Sequence, residues 1–522
     1  MPFKIEMNNI KIHLHNLLDS GEYVEAREIV NQILQETTSL EKNEKLNIET
    51  HFFGFLIDIG CESENEDDLI KAINFFETNE VILESVITKS SYYYNLANAK
   101  HALGKIFYLK NRGVHSLYLT KDKLQAPINL YWLAFKTLNT NDKSLFYQIL
   151  INLSNSLVQI SRIIEGLQFL DIVLKQNPNF PQALISRGDN LFYLSEFTNC
   201  PVTIALYTQI FNSYDKGIKT NLLPNAIADR VESHKLRALL KIQAYGFDNS
   251  NINKDLIETK NEYNNHTEFR KFCIDNFLTL NEHGIYCPCV ANKKDNLQIG
   301  IPNVYFKSEL LPKLELLLNR IKSEFAFARW NFYKSNTEEA FDYDVVFSEL
   351  LENEVINSQT ETLRTSYRIC YGILDKIALG ICKLYDVEGG NIFFERFWND
   401  KKRIATLETQ RNIHLNALYS IANDLNTETG ELKHFKNWRN KLEHNLLILK
   451  DTKNQTPDLL NIFDDENFVI IVDLEEFKEK TQQLLQITRA AIFSFVFCVR
   501  LETITTNKVN ENKNSYNISQ KK

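Results

Sequence analysis

Between Leu310 and Tyr333, and again between Glu361 and Tyr385, apolar residues return every three or four positions, the period of a helix with one buried face. In the second stretch that face is Tyr367, Cys370, Leu374, Ile377 and Ile381. The same period predicts helices over Arg411–Leu425, Leu432–Leu449 and Leu474–Thr503, the last through the apolar run ITRAAIFSFVFCVRL. Long helices joined by modest loops predict an up-and-down bundle. Upstream, Leu236–Gly246 reads as helix, Asp248–Asn265 as a polar linker, Phe269–Gly284 as a short helix with an extended tail, and Pro288–Pro302 as loop. From Asn507 to Lys522 the chain is polar and predicts a disordered tail.

Nearer the N-terminus the periodic stretches are shorter and come in pairs. Ile149 to Phe180, ILINLSNSLVQISRIIEGLQFLDIVLKQNPNF, resembles a tetratricopeptide repeat without a gap. Asn152, Leu153, Ser154 and Asn155 fall at the start of that family's pattern, Gly166 at the small position where two helices cross, and Pro178 at the terminating turn. Gly21, Tyr23 and Ala26, the run Tyr94–Ala99, and Ala183–Leu191 with Gly188 are partial copies at irregular spacing. Such an array stacks helix pairs into a solenoid whose concave face takes a protein or peptide. The predicted fold is therefore all-α: helical repeats over 1–225, a connector over 226–305, a helical bundle over 306–505 and a tail over 506–522.

Composition changes this picture little. Of 522 residues 44% are hydrophobic and 24% charged, with 16 Gly and 10 Pro, an ordinary balance that favours long helices. A formal net charge of −8 argues against a protein that coats nucleic acid indiscriminately, though not against a local basic site. The sequence shows no apolar run read as membrane-spanning and no signal-peptide core, so a cytoplasmic protein is expected. The eight cysteines are scattered and read as reduced. Cys287-Pro-Cys289 with His283 offers three zinc ligands on paper, against a plain turn with incidental cysteines, and no fourth ligand is nearby. The acidic stretch Glu62–Asp68 lacks the glycine and oxygen spacing of a calcium loop and reads as solvated. No Walker A loop, G-x-S-x-G or H-E-x-x-H occurs.

The stretch Leu432–Leu449 carries the chemistry. On a wheel of about 100° per residue, Leu432, Phe435, Trp438, Leu442, Leu446 and Leu449 share one stripe, and Arg439 lies about 60° to its side. Asn440 and His444 lie roughly opposite the stripe, about 40° apart, so His444 is not expected in the core. Leu447 and Ile448 are also on the far side, and a helix apolar on two sides points to a second copy of the domain. The bland alternative is an ordinary helix face with an Arg439–Glu443 ion pair at i, i+4.

Arg439 to His444, R-N-K-L-E-H, resembles the R-x(4–6)-H signature of HEPN domains in the form with a polar residue after the arginine. The resemblance covers about residues 306–505, and the whole chain looks like a bacterial lineage in which such domains follow tetratricopeptide units. It implies a homodimeric, metal-independent endoribonuclease without a cofactor, acting as a toxin or antiphage effector, with Arg439, Asn440 and His444 catalytic. A histidine near its ordinary range supplies the acid or base, and a guanidinium stabilises the charged phosphorane. Lys433, His434, Lys436 and Lys441 are the basic residues expected along an RNA path. Arg411-Asn-Ile-His414 is a second, tighter basic pair that either lines the path or is a plain helix face. Leu446 stands where some HEPN toxins carry a tyrosine modified by a partner nucleotidyltransferase, which puts that control in doubt. The alternative function is a non-catalytic adaptor, its repeats recruiting a protein and its bundle dimerising or binding RNA.

Overall fold

The computed structural model describes residues 2–37, 40–111, 116–139, 141–198, 204–246, 261–300, 310–337, 355–388, 392–450 and 468–519. Two compact units emerge, Met1–Leu194 with Thr203–Asn249, and Ser195–Val202 with Ser250–Lys522. The first is helical throughout its described residues: α1 (Pro2–Ser20), α2 (Tyr23–Glu36), α3 (Lys42–Glu62), α4 (Glu66–Thr78), α5 (Lys89–Lys110), α6 (Gln125–Lys136), α7 (Lys143–Gln159), α8 (Ile163–Gln176), α9 (Pro181–Leu194), α10 (Ile204–Lys219) and α11 (Asn225–Gln243), with short turns between.

Neighbouring helices pack in sequence order from α7 to α11. Small residues let them approach. A Cβ at Gly166 would sit 2.6 Å from a Val158 methyl, and one at Gly188 would sit 2.5 Å from the Tyr214 ring. Gly21 ends α1 at φ +81°, its own amide bonding to Leu18 and the next to Leu17, a turn in which only glycine is unstrained. Asn152 donates to both Tyr94 and Asn98 at 3.0 Å, tying α7 to α5. The acidic stretch is more than solvated loop: Asn65 caps α4, and Asp68 is buried against Arg27 at 2.5 Å.

The second unit is built on α12 (Glu268–Asp275), α13 (Leu310–Thr337), α14 (Ser358–Tyr385), α15 (Ile413–Asp424), α16 (His434–His444) and α17 (Leu474–Ser519). Four of the five predicted bundle helices stand with shifted ends. The fourth does not extend to Leu449. It stops at His444, and Leu446–Lys450 form β1, paired in parallel with β2 (Val469–Asp473) in the register Leu446↔Val469. An apolar run of four cannot by its pattern alone be told from a helix end. The tail also differs from expectation, since α17 continues to Ser519. Polarity argues against burial, not against elongating a helix already nucleated by its buried part.

That buried part is the centre of the unit. Contrary to the expectation that no run is membrane-spanning, one window within Leu474–Thr503 is long and apolar enough to cross a membrane by composition, but 94% of it is buried. It packs on α13, α14 and α15, and its apolarity is that of a core helix. Where α14 crosses it, a Cβ on Gly380 would lie 2.6 Å from the Phe495 ring and 3.1 Å from Leu317. Gly380→Ala is therefore expected to cost about 1–3 kcal/mol, read as a lower midpoint of chemical unfolding; an unchanged midpoint would mean the crossing is looser than this.

The stretch expected as a connector is divided. Asn225–Gln243 is a helix of the first unit, and 266–299 folds onto the second. Leu278, Leu280, Asn281, Asn292 and Leu297 are fully buried. Asp295 binds the buried Arg329 guanidinium, accepts from the Leu280 amide at 3.0 Å and pairs with Arg270 at 3.3 Å. From α17, Arg489 donates to Thr279 O at 2.7 Å and Arg500 to Glu282 at 2.6 Å. The glycine-poor polar composition hid this because the segment is held by carbonyls and carboxylates rather than by an apolar stripe.

Candidate functional site

The loop before α16 is set by Gly430, where a Cβ would fall 2.3 Å from Asp424 O and 2.6 Å from two further carbonyls. Leu432 then bonds back to Asp424 O at 2.8 Å, and the helix begins. Leu432, Phe435, Trp438 and Leu442 are buried, as their shared stripe predicts. Tyr367 of α14 lies among them, donating to Phe435 O at 2.7 Å, with its ring 5.2 Å from that of Phe477 on α17.

At the other end, α14 holds the last carbonyls. Arg368 donates to Leu442 O at 2.7 Å, and Arg364 donates to Leu447 O at 3.0 Å just beyond the helix. Cations on the final carbonyls of a helix satisfy acceptors that have no intrahelical partner. Asn445 leaves the helix in an extended conformation, φ −141° and ψ −150°, and leads into β1. His444 is thus an exposed side chain at a fixed helix terminus.

Arg439 is half-buried and faces α14. Its charge acts on Tyr371 and Asp375 there, drawing both toward ionisation. Burial dominates at each, so the Tyr371 hydroxyl stays well above its usual range and the Asp375 carboxyl is raised. The Phe394 amide, 2.8 Å from Asp375, opposes that rise. Asn440 is also half-buried. The expected surface pair is not formed: Glu443 lies 3.7 Å from Arg368, leaving Arg439 turned to Asp375 and Tyr371.

The four basic residues expected to guide RNA are placed unevenly. Lys433 is exposed. Lys436 is buried in an ion pair with Glu395 and lies 5.5 Å over each of the Tyr371 and Phe393 rings. Lys441 is buried, and His434 packs half-buried on Phe435 at 4.3 Å. Lys436 is therefore a structural cation, and the open positive charge near His444 is smaller than the composition of the helix implies. The Arg411–His414 pair is split: Arg411 is exposed, whereas Asn412 caps α15 and His414 is fully buried edge-on to Phe197 at 4.7 Å.

Residues the motif did not reveal lie on α14. Arg364, Arg368, Tyr371 and Asp375 recur at i, i+4, i+7 and i+11, one stripe beside the apolar face. A polar stripe at that spacing in a mostly apolar helix was the signal available. His283, Cys287 and Cys289 do come near one another, but among the described residues no group of three or more His, Cys, Asp or Glu is disposed to hold a metal ion.

Residues 305–502 match the family described as LA2681-like HEPN. No curated protein and no solved structure gives a significant match to the chain. The matched span contains all of α13 to α16, both strands and the buried part of α17, with R-N-K-L-E-H on its short penultimate helix. The helical bundle and this match agree, and residues 305–502 of the chain form a HEPN domain.

Proposed function

We propose that the C-terminal unit is a metal-independent endoribonuclease. The observation that carries this reading is His444, an exposed imidazole at a rigidly held helix end, five residues after an inward-turned Arg439 in a HEPN domain. In this mechanism a ribose 2′-hydroxyl attacks the adjacent phosphorus. His444 takes or returns the proton, Arg439 holds the equatorial oxygens of the phosphorane, and Asn440 orients one of them. The test is incubation of purified full chain with total RNA and EDTA. Cleavage to cyclic-phosphate or 3′-phosphate ends supports the reading; intact RNA from protein whose expression also leaves growth unslowed counts against it.

A homodimer through the face around His444 belongs to this proposal. The two-sided helix no longer argues for it, because Leu447 and Ile448 lie in β1 rather than on the helix. Support comes instead from Leu446 and Ile471 on the strand pair that follows His444, 46% and 41% exposed, and Phe468 just before β2, 51% exposed. Leu446→Asp with Phe468→Asp is expected to convert a dimer to a monomer in light scattering and to lower RNA cleavage with it. A variant that stays dimeric would place the interface elsewhere.

In the cell we propose a cytoplasmic toxin or antiphage effector, with the N-terminal helix pairs as tetratricopeptide-like partner-binding module. An open groove of about 830 Å³ between α2, α3 and α4 supports that role, lined by Lys42, Lys45, Lys71 and Asn74 beside Phe53 and Phe75.

A further inference from the structure

We propose that Cys287 and Cys289 form a hydroperoxide-oxidisable dithiol, Cys289 as the attacking sulfur and Cys287 as the resolving one. The two flank Pro288 in a turn between two single-turn helices, His283–Ile285 and Val290–Lys293. The turn is clamped. Asn292 donates to Cys287 O at 2.7 Å and to Cys289 O at 3.2 Å, and the His266 ring lies 3.1 Å from Cys289 O. Gly284 admits the clamp, since a Cβ there would lie 2.3 Å from Asn292 Oδ1.

The sulfurs differ in kind. Cys287 is buried and Cys289 half-buried, so an oxidant in solution reaches Cys289 first. Cys289 Sγ lies 3.8 Å from His283 Nδ1. The Cys287 thiol donates to it, His283 and the Ala291 amide do the same, and these outweigh burial to bring Cys289 down to about 5. A thiolate at neutral pH is the reactive form. The other half-buried described thiol, Cys61, is its opposite: burial and Glu62 push it up to about 11.

The chemistry balances. The Cys289 thiolate attacks one peroxide oxygen, the O–O bond breaks, and the second oxygen leaves as water (or an alcohol) after taking a proton. The Cys289 sulfenic acid then loses its oxygen as water when the Cys287 sulfur, giving up its proton, attacks the Cys289 sulfur. Overall two thiols are oxidised and one hydroperoxide is reduced. Two residues apart, the Cα atoms are no more than about 7 Å apart, within reach of a disulfide.

The test uses the full chain and needs no ribonuclease activity, so it stands or falls separately from the proposed function. At neutral pH, iodoacetamide should label Cys289 roughly tenfold or more faster than Cys61, the gain in thiolate being partly offset by weaker nucleophilicity. One equivalent of hydrogen peroxide should remove two hydrogen masses, and peptide mapping should find a Cys287–Cys289 link. In Cys287→Ser, a dimedone adduct should accumulate on Cys289 instead. Equal labelling of Cys289 and Cys61, or oxygen retained on Cys289 of the unaltered chain without a link, would overturn the proposal.

Discussion

Replacing His444 by alanine is expected to lower RNA cleavage by about 10²- to 10⁴-fold, the range for losing a general acid or base. Folding should be untouched. His444 is exposed, is the last residue of α16, and forms no hydrogen bond or ion pair among the described residues, so its removal disturbs none of their packing. Arg439→Ala should cost about 10²- to 10³-fold, as when one preorganised donor to a charged transition state is lost. Arg439→Lys should recover little, because a point charge does not reproduce the planar pair of donors. Cleavage assays on both variants, with circular dichroism as control, decide the matter. Full activity in His444→Ala would remove the proposed acid–base group. Loss of activity together with loss of fold would show that the side chain serves the helix rather than the chemistry.

The largest expected effect on stability lies outside the matched domain, at Asp295. Asp295→Ala leaves the Arg329 guanidinium, 1% exposed, without its carboxylate and strips an acceptor from the Leu280 amide. An uncompensated buried charge of this kind costs about 3–5 kcal/mol. Asp295→Asn keeps the acceptor oxygen and should fall between the two. Chemical denaturation reads the difference, and a loss under about 1 kcal/mol would mean that 266–299 contributes little to the second unit. Burial alone would raise the Asp295 carboxyl; the Arg329 charge and hydrogen bond, Arg270 and the Leu280 amide hold it below its ordinary value. A depressed folded value means stability that is present above the ordinary carboxylate range and is lost as pH falls through the folded value. Acid should therefore destabilise the native chain more steeply than Asp295→Asn.

Much of this was legible from residue order. Helices with a single stripe, such as α13 and α14, were found because period and burial coincide. The position of His444 away from Phe435 and Trp438 was legible for the same reason. The strand at Leu446–Lys450 is not legible in the same way, because nothing in the pattern at Asn445 announces that the helix ends. What ends it is Arg368 on another helix, binding Leu442 O. The burial of Lys436 is hidden for a related reason: its partner Glu395 is 41 positions upstream, and charge alone does not reveal a distant counter-ion. The folded segment 266–299 was hidden because Asp295, Asn281 and Glu282 look like loop residues until their buried partners are known.

Those partners set an order of events during synthesis. Asp295 meets Arg329 after only 34 further residues, so that contact is available early. Thr279 and Glu282 must wait for Arg489 and Arg500, 210 and 218 positions later. At translation speeds of 5–20 residues per second the delay is roughly 10 to 40 s. Phe477, against which Trp438 packs at 5.6 Å, arrives within the same late stretch. The helix carrying His444 therefore has no finished surface to rest on until α17 is made, so the proposed site stays unassembled through all the synthesis that precedes that helix.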